Sequence, residues 1–194
     1  MYVTKETEYQ NNPVIKSIIE VLTGGATIAA ADFNTSVDTE LKAGSIVGKD
    51  SNGLFHALKT AKVHANVAVD ATTIQVKKGH GLKVDDVVMD SGKTLKADKI
   101  TAINTSNDDY DILTIEAAIG ALTAGDLIVI AAAEANAGAG VYAYTPVGLT
   151  MNPVDLTKAN QPSGVLLRGS VNESNMPQYV DATVKALLPL ILFQ

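Results

Sequence analysis

The chain has 194 residues, 46% hydrophobic and 19% charged, so it is long enough to bury a core and too apolar for global disorder. Fifteen Lys and Arg against 21 Asp and Glu leave a net charge of −6, which argues against a nucleic-acid binder and its basic footprint. Cysteine is absent, which excludes disulfides, thiolate metal sites and a cysteine nucleophile; three histidines and no tryptophan leave little conventional catalytic material.

The opening run from Met1 to Glu8 has no cationic region followed by an apolar stretch, so no secretory signal is expected. Residues 1–12 read as a polar arm. A short helix is expected next: Asn12 can cap it, Pro13 suits its first position and Gly24-Gly25 can end it. Val14, Ile15, Ile18, Ile19 and Leu22 fall at helical spacing and form one apolar stripe. Such a stripe packs on its own domain or docks on a neighbouring subunit.

From Ala26 the pattern turns to β. Short runs of Val, Ile, Thr and Leu between Gly, Asp and Asn turns predict strands at Ser45–Gly48, Phe55–Leu58, Thr72–Val76, Val87–Met89, Lys99–Ile103, Asp111–Ile115 and Leu127–Ile130. Lys49-Asp50-Ser51-Asn52-Gly53 is a hairpin signal between the first two. One phrase recurs three times: Leu41-Lys42-Ala43-Gly44-Ser45-Ile46-Val47, Leu82-Lys83-Val84-Asp85-Asp86-Val87-Val88 and Leu122-Thr123-Ala124-Gly125-Asp126-Leu127-Ile128. Each copy reads as a leucine, a turn pair with Gly or Asp, and then a buried strand. The last two copies each follow a Thr-Ile strand, which points to a middle unit with pseudo-repeated halves over about 64–132.

The small-residue run at 131–140 is a linker or a closely approached backbone, and it marks a boundary. Tyr142–Tyr144, Val147–Met151 and Val165–Val171 read as further strands. A second helix is expected from Pro177 to Leu188, started by Asn175 or Pro177, with Val180, Val184, Leu187 and Leu188 on its apolar face and Pro189 as its stop. The apolar end that follows, Leu187 to Phe193, is buried under the sheet or pressed on a neighbour. The run from Ala186 to Phe193 is eight residues, too short for a bilayer span of about twenty, so no membrane partner is expected. The organisation is then an arm and short helix at 1–25, a discontinuous β domain at 26–63 and 138–194, and an inserted β subdomain with its linker at 64–137.

Chemistry is sparse. No two of His56, His64 and His80 are spaced i, i+2 or i, i+4, so there is no local metal pair, although His56 and His64 can meet across a hairpin. Asn107-Asp108-Asp109-Tyr110-Asp111 gathers oxygens but lacks the calcium-loop frame, and reads as a solvated turn. There is no Gly-x-Ser-x-Gly, and Gly138-Ala139-Gly140 fits neither the phosphate loop nor the dinucleotide fingerprint. Aromatics at 5% make thin platforms for stacking bases or sugar rings. No catalytic, cofactor-binding or metal residues are expected, and no cofactor.

Two segments resemble a known family. Leu41-Lys42-Ala43-Gly44-Ser45-Ile46-Val47-Gly48 followed by Gly53-Leu54-Phe55 resembles the opening of tailed-bacteriophage head decoration proteins. Ser163-Gly164-Val165-Leu166-Leu167-Arg168-Gly169-Ser170-Val171-Asn172-Glu173, running through Met176-Pro177 into Ala182-Thr183-Val184-Lys185-Ala186-Leu187-Leu188-Pro189, resembles the close of phage head decoration and head fibre proteins. The resemblance implies a mainly β fold: a small β-barrel or β-tulip-like decoration domain with an inserted β subdomain and short N- and C-terminal helices. It implies a structural virion protein, made in the host cytoplasm, that binds the outer capsid surface as a decoration or head fibre base. The implied partners are the major capsid protein and further copies of the chain, a trimer being favoured. The alternative is a receptor- or glycan-binding fibre or adhesin module, its ligand a host surface glycan held on loops of 64–132. The residues expected at an oligomer or capsid interface are Val14, Ile15, Ile18, Ile19, Leu22, Leu187, Leu190 and Phe193.

Overall fold

A computed structural model describes residues 13–92 and 94–194. The chain is mainly β, 41% strand against 6% helix, and its curled sheets form a half-barrel. The first strands are β1 (Ile15–Val21), β2 (Ala26–Ile28), β3 (Glu40–Leu41), β4 (Ile46–Lys49) and β5 (Phe55–Ala57). There follow β6 (Thr60–Lys62), β7 (Thr73–Lys77), β8 (Val87–Asp90), β9 (Asp98–Asn104), β10 (Tyr110–Ile115) and β11 (Leu127–Ile130). The last are β12 (Pro146–Thr150), β13 (Val154–Asp155), β14 (Gln161–Ser163), β15 (Val165–Val171) and β16 (Ile191–Phe193), with α1 (Ala182–Ala186), the one α-helix among the described residues, before β16.

The larger sheet has the order β1-β15-β12-β4-β5-β2-β14, with β16 added in parallel to β15. The second has the order β6-β11-β8-β9-β10-β7, and β3 pairs with β13. The two edge strands of the second sheet meet at a bridge between Val63 and Val76, beside a bond from the His64 N–H to the Gln75 carbonyl. Strand pairing therefore groups residues 60–130 in one sheet and residues 15–57 and 146–193 in the other. The core is not divided that way. One cluster joins Ile46, Leu149, Leu166 and Val184 to Ile74, Ile100, Leu113 and Ile128, and a smaller one holds Ile28, Val47, Phe55, Leu156 and Val165.

The three copies of the turn phrase fold alike. Their first leucines, Leu41, Leu82 and Leu122, are all buried. Their fourth residues, Gly44, Asp85 and Gly125, all have positive φ, at 83°, 74° and 102°. That conformation is cheap for Gly and tolerated by Asp. Their fifth residues close the turn by side chain: Ser45 Oγ donates to the Lys42 carbonyl, Asp86 Oδ2 accepts from the Lys83 N–H, and Asp126 Oδ2 accepts from the Thr123 N–H. The expected hairpin at 49–53 is present too: Asp50 Oδ1 accepts from the N–H groups of Asn52 and Leu54 between paired β4 and β5.

The expected N-terminal helix is a strand. Asn12, its expected cap, lies outside the described residues, and Ile15–Val21 pairs antiparallel with β15. A run of seven residues is too short to hold a helix alone, and Ile15, Ile18, Ile19 and Val21 are β-branched. Once β15 offers a ladder, the strand wins. The C-terminal helix is shorter than the expected Pro177–Leu188. Asp181 caps it by accepting from the Val184 N–H, and residues 177–180 form a bend with no helix. Gln178 holds them there: its Oε1 accepts from the Ile46 N–H and its Nε2 donates to the Leu58 carbonyl, both at 2.5 Å. Tyr142–Tyr144 is not a strand; it makes one bridge, Tyr142 to Ala131, while the Tyr142 hydroxyl donates to the Ser91 carbonyl. In the 131–140 run, Gly140 lies so close to Met89 and Ala97 that a Cβ has no room.

Candidate functional site

Each buried titratable group is tied to a neighbour. His56 on β5 sits between two carboxylates. Its Nδ1 is 2.9 Å from Asp32 Oδ2, its Nε2 is 3.6 Å from Asp50 Oδ2, and its ring stacks on Tyr144 at 3.8 Å. A general base needs a free nitrogen facing a nucleophile or a substrate, and the His56 Nε2 faces Asp50 in a buried position. His80 is similar. Its Nδ1 accepts from the Leu82 N–H, which puts the proton of the neutral ring on Nε2, and Nε2 faces Asp111 Oδ2 at 3.2 Å. Burial holds the His80 pKa below the usual histidine value, and the Asp111 charge offsets this in part. Lys78 completes the group with a 2.7 Å bond to Asp111 Oδ1. Glycines with positive φ on both sides of His80 make the turn that aims it inward. His64 stacks on Tyr110, so His56 and His64 have different partners.

Lys59 is the buried cation. Its Nζ lies 2.8 Å from Asp86 Oδ2 and 5.4 Å from the centre of the Phe33 ring. Burial lowers its pKa, and Asp86 acts against that. The same Asp86 oxygen accepts from the Lys83 N–H, so Lys59 locks a turn of the second sheet to the β5–β6 connection. Nothing local in the sequence marks Lys59, because its partner lies 27 residues away.

A cleft of about 620 Å³ is lined by Phe33, Val37, His80, Leu82, Val84 and Asp111 among others. Its polar lining includes His80 and Asp111, which face each other, together with Asn34, Asp38 and Thr105. Asp98, Glu116 and Glu134 place one oxygen each within 4.8 Å of one another, a donor set that hard cations accept. Lys99 Nζ, 3.8 Å from Glu116 Oε2, balances part of that charge. The Asn107–Asp111 run is a turn: Asn107 Oδ1 accepts from the Asp109 N–H, and Asp111 points inward to His80.

Of the eight residues expected at an interface, three are exposed and five pack within the chain. β15 carries β1 along one side and β16 along part of the other, so segments from the two ends of the chain lie on one three-stranded piece of sheet. Ile18, Ile19 and Leu190 are exposed there, at 55%, 65% and 56%, and Val21 and Leu192 join them at 40% and 58%. The other named residues pack on the chain itself. Ile15, Leu187 and Phe193 lie against the larger core cluster, Leu22 against the smaller, and Val14 against Gly44. The C-terminal apolar run is thus split: Leu188 and Ile191 are buried while Leu190 and Leu192 face solvent.

No family model, no curated protein and no solved structure matches this chain.

Proposed function

We propose that the chain is a structural virion protein that binds the outer surface of a phage capsid, as a decoration or as the base of a head fibre. The observation that carries the reading is the exposed apolar strip Ile18, Ile19, Val21, Leu190 and Leu192, set on one end of one sheet. Apolar surface gathered in one place marks a contact with another macromolecule. The described residues offer contact area and no assembled reaction centre: the buried histidines and Lys59 are held by carboxylates. β15, the link at 172–176 and α1 follow the order of the decoration-like close. Work is then done by burying surface between chains, without turnover, the major capsid protein being the partner on the shell.

Co-sedimentation with phage heads assembled without the protein tests this. Saturable binding, with a rise in the temperature at which the heads release their contents, is the expected result. Wild-type protein that stays in the supernatant at every ratio overturns it. A glycan-binding module is the second reading, and the 620 Å³ cleft between residues 33–38 and the loops at 79–84 and 103–111 favours it. Binding to a glycan array, lost on widening or filling that cleft, is its signature.

A further inference from the structure

We infer that β1 is the contact for a second copy of this chain, paired antiparallel across a two-fold axis centred on Ile18. β1 ends the larger sheet, with β15 on one side and no strand on the other among the described residues. Its exposed apolar residues, Ile18, Ile19 and Val21, are not used by the chain's own cores. The opposite edge of the same sheet is protected. β14 is only three residues long and contains Pro162, which has no N–H to offer a further strand.

The order of residues along β1 selects the partner. Read against its own reverse about Ile18, the strand sets Ile15 opposite Val21, Lys16 opposite Glu20, Ser17 opposite Ile19, and Ile18 opposite itself. Ile15, Val21 and Ile18 then meet apolar residues, Ile19 meets the small Ser17, and both charged positions meet their opposite. Neither Lys16 nor Glu20 has an ion pair within its own chain among the described residues. Opposite charges placed across a strand pair are favourable, and like charges are not. The register of β1 on β15 shifts three times. Those irregularities keep the edge from templating an open-ended ladder, and a two-fold contact uses the same edge on both copies, so assembly closes at two. Leu190 and Leu192 on the far side of β15 stay free for another surface. The inference rests on the assembly strip but needs no capsid, so it and the head-binding reading fail separately.

Light scattering on a sizing column at two concentrations, with sedimentation equilibrium for the constant, tests it on the full chain. Wild type runs at twice the chain mass. Ile19→Lys runs as a monomer with an unchanged circular dichroism spectrum and melt. Lys16→Glu sets Glu against Glu at both charged positions and weakens dimerisation by about tenfold or more. Lys16→Glu combined with Glu20→Lys exchanges the charges and restores the dimer. A wild-type monomer at both concentrations, a trimer, or an exchange variant no better than Lys16→Glu overturns the inference.

Discussion

β10 and β1 are both apolar strands of similar length, yet one is interior and the other is not. β10 lies between β9 and β7, and Asp111, Leu113 and Ile115 alternate inward from it into the core. β1 has one neighbour and exposes six of its seven residues. Apolar content is alike, and the difference is the number of strands alongside. A strand flanked on both sides finds its core within the chain, whereas β1 presents Ile18 and Ile19 that the fold leaves uncovered.

The largest expected effect separates these two strands directly. Leu113→Ala loses about 2–5 kcal/mol in urea unfolding, because it empties a fully buried site in the shared cluster. Ile19→Ser changes monomer stability by no more than about 0.5 kcal/mol. Equal costs would erase the contrast. Gln178→Ala is next. It leaves the Ile46 N–H and the Leu58 carbonyl without their amide partner, at a cost of about 1–3 kcal/mol by the same measurement. The turn glycines then sharpen the comparison. Gly125→Ala meets only its left-handed backbone and costs about 1–2 kcal/mol. Gly44→Ala costs more, because its new methyl also strikes Val14 at the start of β1. If the two cost the same, Val14 gives way freely and β1 is held more loosely than the packing implies.

The pH effects are smaller. Burial, and then the Asp181 and Asp90 charges, push the Tyr142 phenol up to about 12 from 10.0. The unfolded chain therefore ionises first, and stability is lost as pH rises between 10 and about 12. Tyr142→Phe removes that loss in melts across this range. His80 has a folded pKa below 6.5, so its contribution is present above 6.5 and is lost as pH falls below it. His80→Asn, whose Oδ1 can take the Leu82 N–H, flattens the fall between neutral pH and the onset of carboxylate protonation.

Much of the fold was legible because it is local. Val165–Val171 stands as a strand where the sequence places one, and the turn phrase, read as a turn pair and then a buried strand, leads into β4, β8 and β11 in its three copies. β1 was not legible. Val14, Ile15, Ile18, Ile19 and Leu22 match helical spacing, and only β15, about 150 residues away, decides for a strand. Of the residues expected at an interface, Ile18, Ile19 and Leu190 are exposed, while Val14, Ile15, Leu22, Leu187 and Phe193 pack within the chain. Pairing on β15 and the two cores decide which are covered, and no local pattern encodes that. The Lys59–Asp86 and His56–Asp32 pairs were hidden for the same reason.

Hydrogen–deuterium exchange on the chain, free and bound to undecorated heads, tests the assembly strip most directly. The free chain, dimeric through β1, already protects 15–21; the account predicts new protection on 190–193 when the heads are bound, with the loops at 79–84 and 103–111 unchanged. Protection confined to those loops, with 190–193 exchanging as in the free chain, would contradict it.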